Sequence, residues 1–114
     1  MTAAPLVIVE MPDFVASTRK MLEDDEREEL VDFLSLNPVA GDVIAGTGGV
    51  RKVRWALPGR GKSGGARVIY FYHDMGMPLF LLDAYAKNER ANISHADRND
   101  YKRLVGILKA QYGR

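Results

Sequence analysis

The side chains best suited to chemistry in this sequence are six cations in a stretch that contains no acid. The stretch covers residues 43–73, and its bases are Arg51, Lys52, Arg54, Arg60, Lys62 and Arg67. Clustered lysines and arginines bind phosphates and stabilise the negative charge that develops when a phosphodiester is cleaved. The pattern predicts a surface for RNA or another polyanion. The alternative is a solvated cationic face without a partner.

The charge of the whole chain is divided unevenly, although its formal net charge is only +1. Residues 1–42 contain ten acids and three bases, whereas residues 43–114 contain five acids and thirteen bases. An asymmetry of this kind often marks a surface that binds polyanions, so it supports the same prediction.

Composition excludes several classes of function. The 114 residues contain no cysteine and only two histidines, so thiol redox chemistry and a structural zinc site are excluded, and no metal or cofactor is expected. The apolar run Leu6–Val9 is too short for a signal peptide or a membrane span. We therefore expect a single domain over residues 1–114, in the cytoplasm and without a membrane partner.

The pattern of apolar residues predicts an α+β fold. Strands are predicted over Leu6–Glu10, Val50–Leu57, Ala66–His73 and Leu79–Lys87. Helices are predicted to begin at Pro12, at Asp25 with Glu28 completing a capping box, and at Ser94 with Asp97 three residues later. This order indicates an antiparallel sheet with the N-terminal helices packed on one face and a C-terminal helix, and with the other face partly open.

Alternation along the strands predicts where the cations lie. In the strand that starts at Val50, Lys52 and Arg54 face away from Val53 and Trp55. The last strand alternates in the same way. Its predicted core-facing side chains are Phe80, Leu82, Ala84 and Ala86, and the side chains predicted on the other face are Asp83, Tyr85 and Lys87. If successive strands pair as hairpins, one open face gathers Lys52, Arg54, Arg67, Tyr85 and Lys87 beneath a loop that carries Arg60 and Lys62.

Such a face could cleave RNA. Arg67 remains charged and suits the scissile phosphate, while Tyr85 could stack on a base. Attack by the 2′-hydroxyl of the RNA requires a general base, and a lysine amine qualifies where cationic neighbours favour its neutral form. Lys52 and Lys87 are the candidates. Asp83 would repel phosphate unless it pairs with an arginine.

Two other motifs in the sequence could indicate different chemistry. The run ALPGRGKS at residues 56–63 fits a relaxed phosphate-binding loop, and the spacing of Gly59, Gly61 and Gly64 fits a dinucleotide-binding fingerprint. Both motifs need a glycine turn that leads into a helix, whereas here the turn leads into a strand. A ribonuclease with two catalytic histidines would need His73 and His95 together. The simpler interpretation places one at a strand end and the other in a first helical turn, although His95 could approach the open face.

Three strings carry a resemblance to a known family. They are GTGGVRKVRW at residues 46–55, GRGKSGGARVIY at 59–70 and LDAYAKNE at 82–89. From about Val7 to Tyr112 the chain resembles the RelE/HigB toxins of type II toxin–antitoxin systems. The resemblance implies a metal-independent endoribonuclease that cuts mRNA in the ribosomal decoding site. It also implies a cognate antitoxin, often with a helix-turn-helix, that covers or displaces the active site.

The resemblance also implies roles for individual residues. The catalytic positions of the family fall on Arg67, Lys87, Lys52 and Arg54, and RNA binding is assigned to Arg51, Arg60, Lys62 and Tyr85. Some members use a histidine or tyrosine near the C-terminus, for which His95, Tyr101 and Tyr112 are the candidates. Three alternatives share the fold or the cationic face: a gyrase-inhibiting toxin of the same superfamily, a non-catalytic nucleic-acid-binding module, and a protein that has lost activity.

Overall fold

A computed structural model describes residues 6–57, 65–87, 89 and 93–112. Within this part of the chain the elements, in order, are β1 (Ile8–Glu10), α1 (Pro12–Thr18), α2 (Asp24–Leu36), β2 (Asp42–Val43), β3 (Val50–Trp55), β4 (Ala66–Phe71), β5 (Leu79–Ala86) and α3 (His95–Gln111). None of these helices is long and apolar enough to cross a lipid bilayer.

The strands form one five-stranded sheet in the order β1-β5-β4-β3-β2. Strands β2 to β5 pair as antiparallel neighbours, whereas β1 runs parallel to β5. The predicted α+β fold is confirmed, but the sheet is mixed. A parallel pair needs a long crossover, which all the elements between β1 and β5 supply here.

Helices α1 and α2 cover one face of the sheet, as predicted. Phe14 of α1 and Leu30 and Leu34 of α2 are fully buried. They pack against side chains of β4 and β5, namely Val68, Tyr70, Leu79, Leu81 and Ala84. Leu30 and Leu34 lie four residues apart, so they share one side of α2 and form the stripe that binds the helix to the sheet.

Helix α3 packs on the other face, which is therefore covered in part. Val105 and Leu108 join a core cluster with Val50, Phe71 and Phe80. Those three strand residues are register partners at one end of the sheet. The opposite end of the same face carries Arg54 and the cations that adjoin it.

The helix starts agree only partly with prediction. Ser94 caps α3, and its hydroxyl accepts a hydrogen bond from the Asp97 amide at 3.1 Å, as expected. Helix α2 is capped by Glu23 instead of Asp25, and the Glu26 side chain accepts a 2.8 Å hydrogen bond from the Glu23 amide. Four consecutive acids occupy residues 23–26, so spacing alone did not identify the cap.

Strand β5 contains a bulge. Ile69 is aligned with Asp83 but Tyr70 with Leu81, which leaves Leu82 as an extra residue. The bulge inverts the predicted alternation beyond it, because Tyr85 packs in the α3-side core and Ala84 in the α1–α2 core. The expectation that Ala84 faces the same way as Phe80 and Leu82 is therefore wrong.

Candidate functional site

Three cations meet at the open end of the α3-side face. Arg54 is the direct register partner of Arg67, and Lys52 lies two residues before Arg54 on the same side of β3. Side chains directly opposite each other on adjacent strands have Cβ atoms about 5 Å apart. We call Lys52, Arg54 and Arg67 the cationic cluster. Strand pairing thus places the three side chains on one face of the sheet, as the alternation of side chains along the strands predicted.

The cationic cluster borders an open depression of about 510 Å³. Its lining residues are Ala40, Asp42, Lys52, Val53, Arg54 and Arg67. Arg54 is exposed, and Lys52 and Arg67 are half-buried. The depression exists because β2 pairs only with Arg51 and Lys52, so within the described part of the chain Val53–Trp55 form a free strand edge. An extended nucleic-acid backbone can therefore enter from the side.

Asp42 is a site residue that sequence reasoning missed. It is exposed and is the register partner of Lys52 in β2, a strand of two residues that is too short to give a periodic signal. Asp42 is the last acid before the acid-free stretch, which is the one feature that could have drawn attention to it. It supplies one negative charge beside three positive ones. The described residues contain no group of three or more histidines and acids placed to hold a metal ion.

Lys87 lies next to the depression without lining it. Its amide donates a 3.0 Å hydrogen bond to the Gly65 carbonyl, so it sits directly beyond the last residue of β5, two residues past Tyr85. The Lys87 side chain is exposed. Gly65 is two residues from Arg67, and Lys87 is therefore a diagonal neighbour of the cationic cluster.

Tyr85 is aligned with Arg67 but is unsuited to stacking on a base. The register continues the row Arg54, Arg67, Tyr85 across three strands. However, Tyr85 is only 4% exposed and belongs to the α3-side core. A base needs an accessible ring face, so the predicted stacking role is not supported in this conformation.

Arg51 lies apart from the cationic cluster. Its register partner Tyr70 belongs to the α1–α2 core, so Arg51 is on the opposite face from Lys52 and Arg54. Its Nη1 donates a 2.7 Å hydrogen bond to the Gly41 carbonyl. Arg51 is therefore not part of the cationic cluster, and its role in RNA binding stays a prediction. Arg60 and Lys62, also assigned to RNA binding, lie outside the described residues.

Asp83 does not add a second carboxylate to the cationic cluster. The Ser17 hydroxyl of α1 donates a 3.0 Å hydrogen bond to Asp83 Oδ1. Strand β4 separates this carboxylate from β3. The predicted conflict between Asp83 and a bound phosphate is thus resolved by a contact with α1.

The three C-terminal candidates occupy different places. Tyr112 packs edge-on against Phe80, with ring centroids 5.8 Å apart. Phe80 lies at the same end of the sheet as Val50, and Val50 is about 13 Å along β3 from Arg54 at 3.3 Å per residue. Tyr112 is therefore remote from the cationic cluster. Tyr101 packs against the α3-side core, and His95 is exposed in the first turn of α3.

Tyr70 supports the depression from beneath. The Gly41 amide donates a 2.8 Å hydrogen bond to the Tyr70 hydroxyl, which donates in turn to the Pro38 carbonyl at 2.8 Å. Burial raises the pKa of Tyr70, although the Gly41 hydrogen bond and the charge of Arg51 act in the opposite direction. These hydrogen bonds hold the segment from Pro38 to Gly41 in place, and Asp42, the next residue, therefore lies beside the cationic cluster.

We expect Tyr70→Phe to lower the free energy of unfolding by about 1–3 kcal/mol, because the Gly41 amide and Pro38 carbonyl lose a buried partner. The raised pKa keeps Tyr70 protonated in the folded chain. Its contribution is therefore full below about pH 10 and is lost as the pH rises through the folded-state value. Urea unfolding of the two proteins at neutral and alkaline pH measures both effects.

The matched control is Tyr72→Phe, since the Tyr72 hydroxyl has no hydrogen-bond partner within the described part of the chain. An equal loss of stability in both variants would contradict the role given to Tyr70.

Comparison with known proteins gives two findings. The family model for the RelE toxin of the RelE/RelB toxin–antitoxin system matches residues 14–112. A solved structure of the E. coli toxin RelE, a double mutant in the free state, superposes with a TM-score of 0.54 and 16% sequence identity. The superposition covers 77% of this chain and 90% of that one, and at this identity it shows a shared fold.

Proposed function

This chain belongs to the RelE toxin family, as the toxin of a toxin–antitoxin pair, and we propose that it is a metal-independent endoribonuclease that cuts mRNA on the ribosome. The observation that carries the proposal is the cationic cluster of Lys52, Arg54 and Arg67 around an open depression. Three cations in one concave site can hold a phosphodiester and stabilise the charge of its transition state. The proposed location of the reaction is the cytoplasm.

The proposed reaction uses the ribose of the substrate as nucleophile. A general base removes the 2′-hydroxyl proton, the 2′-oxygen bonds to phosphorus, and the bond from phosphorus to the 5′-oxygen breaks. The leaving 5′-oxygen takes up a proton from solvent, to which the base returns the proton that it removed. The products are a 2′,3′-cyclic phosphate and a 5′-hydroxyl, so no water or cofactor is consumed.

Roles in this reaction follow from position. Arg67 is central in the row between β3 and β5, and we assign it to the scissile phosphate with Arg54 beside it. Lys52 is assigned as general base, because it lines the depression and is half-buried on the same side of β3 as Arg54. Exposed Lys87 is assigned to a neighbouring phosphate, as are Arg60 and Lys62.

The experiment is to map RNA 5′ ends by primer extension after expression of the chain in growing cells. Two versions of one transcript are compared, one translated and one with its start codon removed. We expect new ends at fixed codon positions in the translated transcript alone. Intact transcripts would contradict the proposal. Intact transcripts together with relaxed plasmid DNA would identify a gyrase inhibitor instead.

A further inference from the structure

Three contacts hold Gly41, the residue immediately before Asp42. Gly41 is buried, and its amide bonds the Tyr70 hydroxyl while its carbonyl bonds Arg51 Nη1. It also lies close to the next strand, because a Cβ on Gly41 would be 2.8 Å from the Lys52 carbonyl oxygen. The two hydrogen bonds and the close approach fix the point at which the chain enters β2, and so they fix the backbone of Asp42.

The sheet then directs the Asp42 side chain into the depression. Asp42 is the register partner of Lys52, so their Cβ atoms are about 5 Å apart and both side chains lie on the face of the cationic cluster. Asp42 is exposed and lines the depression. Its carboxylate makes no hydrogen bond or ion pair with another residue in the described part of the chain. The wall of the depression therefore presents one fixed carboxylate with both oxygens accessible.

Phosphate binding does not account for a carboxylate at this place. Arg54 and Arg67 are the pair suited to a phosphate, which a negative charge repels. Asp42 is on β2 and Arg67 is on β4, so they are separated by two strand spacings, or about 10 Å. A nucleotide extends about this far from its phosphate to the outer edge of its base. The part of a bound RNA that reaches Asp42 is therefore a base.

Guanine is the base whose edge matches a carboxylate. An ionised carboxylate accepts hydrogen bonds and donates none. Among the RNA bases, only guanine carries two adjacent donors on its Watson–Crick edge, N1–H and the N2 amine, so both carboxylate oxygens can bond at once. Adenine and cytosine place one amine beside an acceptor nitrogen, and uracil places one N–H between two carbonyls. Those acceptors would face the negative charge without a partner.

We propose that Asp42 is a specificity-determining residue that binds a guanine next to the scissile phosphate. Its two oxygens accept hydrogen bonds from guanine N1–H and the N2 amine, while Arg54 and Arg67 hold the phosphate. Tyr70 and Arg51 act through Gly41 as positioning residues. The inference rests on the proposed function in that the depression is the RNA site.

The test measures the affinity of the full chain for short RNA oligomers, by fluorescence anisotropy at low ionic strength. All riboses carry 2′-O-methyl groups, which prevent cleavage. Three oligomers differ only in the central nucleoside, which is guanosine, inosine or adenosine, and inosine keeps N1–H but lacks the N2 amine. We expect the guanosine oligomer to bind about tenfold or more tightly than the adenosine oligomer, as bidentate contacts to a base do. Inosine is expected to lie between them.

Asp42→Asn keeps the shape of the side chain but turns one acceptor into a donor. We expect the preference for guanosine over adenosine to fall to within about threefold, because the remaining phosphate contacts are independent of sequence. Asp32→Asn makes the same change at an exposed position of α2 outside the depression and should keep the parent preference. A parent without preference for guanosine, a preference retained in Asp42→Asn, or an equal loss in both variants would overturn the inference.

Cleavage of translated mRNA separates this inference from the proposed function. Two messages that differ by guanine or adenine in the cleaved codon are compared in a purified translation system. If the parent cleaves neither message yet distinguishes the oligomers through Asp42, the proposed function fails and the guanine site stands. If the parent cleaves both messages equally and binds the three oligomers equally, the proposed function stands and the inference is lost.

Discussion

Arg67→Ala is expected to reduce the rate of mRNA cleavage by about 10²–10³-fold, the usual effect of removing one group that stabilises transition-state charge. Arg67 is half-buried between Arg54 and Tyr85 in the cross-strand row. Bulk water therefore screens only part of the electrostatic interaction between the Arg67 charge and a bound phosphate. Cleavage is measured in a purified translation system, and growth arrest on induction provides a second reading.

Arg103→Ala is the matched control, because it removes the same side chain from a solvated position. Arg103 is on α3, 72% exposed, and bonded to Asp100 at 3.3 Å. This pair contributes little to stability. Cleavage by Arg103→Ala at the parent rate with loss in Arg67→Ala supports the site. Full activity of Arg67→Ala would remove the cationic cluster from the reaction.

Substitution of Lys52 by glutamine is expected to lower cleavage by about 10²–10⁴-fold, the range for loss of a general base. Lys52→Arg keeps the positive charge but cannot give up its proton at neutral pH, so it is expected to fall equally far. The discriminating measurement is the single-turnover cleavage rate of both variants beside the parent. A rate of Lys52→Arg close to that of the parent would show that Lys52 acts through its charge and not as the base.

Lys87→Gln decides between the two lysines named by the sequence. Lys87 is exposed and lies outside the depression, so we expect a loss of less than about tenfold, mainly in binding. Lys102→Gln, at an exposed position of α3, is the inert reference. A greater loss in Lys87→Gln than in Lys52→Gln would assign the base to the last strand instead.

Much of the site could be predicted because strand alternation is a local property. Lys52 and Arg54 oppose Val53 and Trp55 in β3, and the structure follows that pattern without interruption. Hairpin order then brings Arg67 opposite Arg54. The cap of α3 also followed local chemistry, with Ser94 at the expected place.

The remaining differences arise from contacts that no local pattern records. The sequence predicts Arg51 among the RNA-binding cations, yet its guanidinium donates a hydrogen bond to the carbonyl of Gly41, the residue before β2. Tyr85 was expected to be accessible, but tertiary packing buries it. The sequence pattern did not identify Asp42, because a strand of two residues is too short to show an alternation of polar and apolar residues. Each of these depends on a partner distant in sequence, which composition and spacing do not identify.

The extra residue at Leu82 makes the length of β5 as critical as its composition. Deleting one residue there would rotate every later side chain of the strand by half a turn, which would turn Ala84 toward Arg67 and Tyr85 toward α1 and α2. An insertion or deletion within this strand would therefore separate the residues that pack against α3 from the face that carries the cationic cluster.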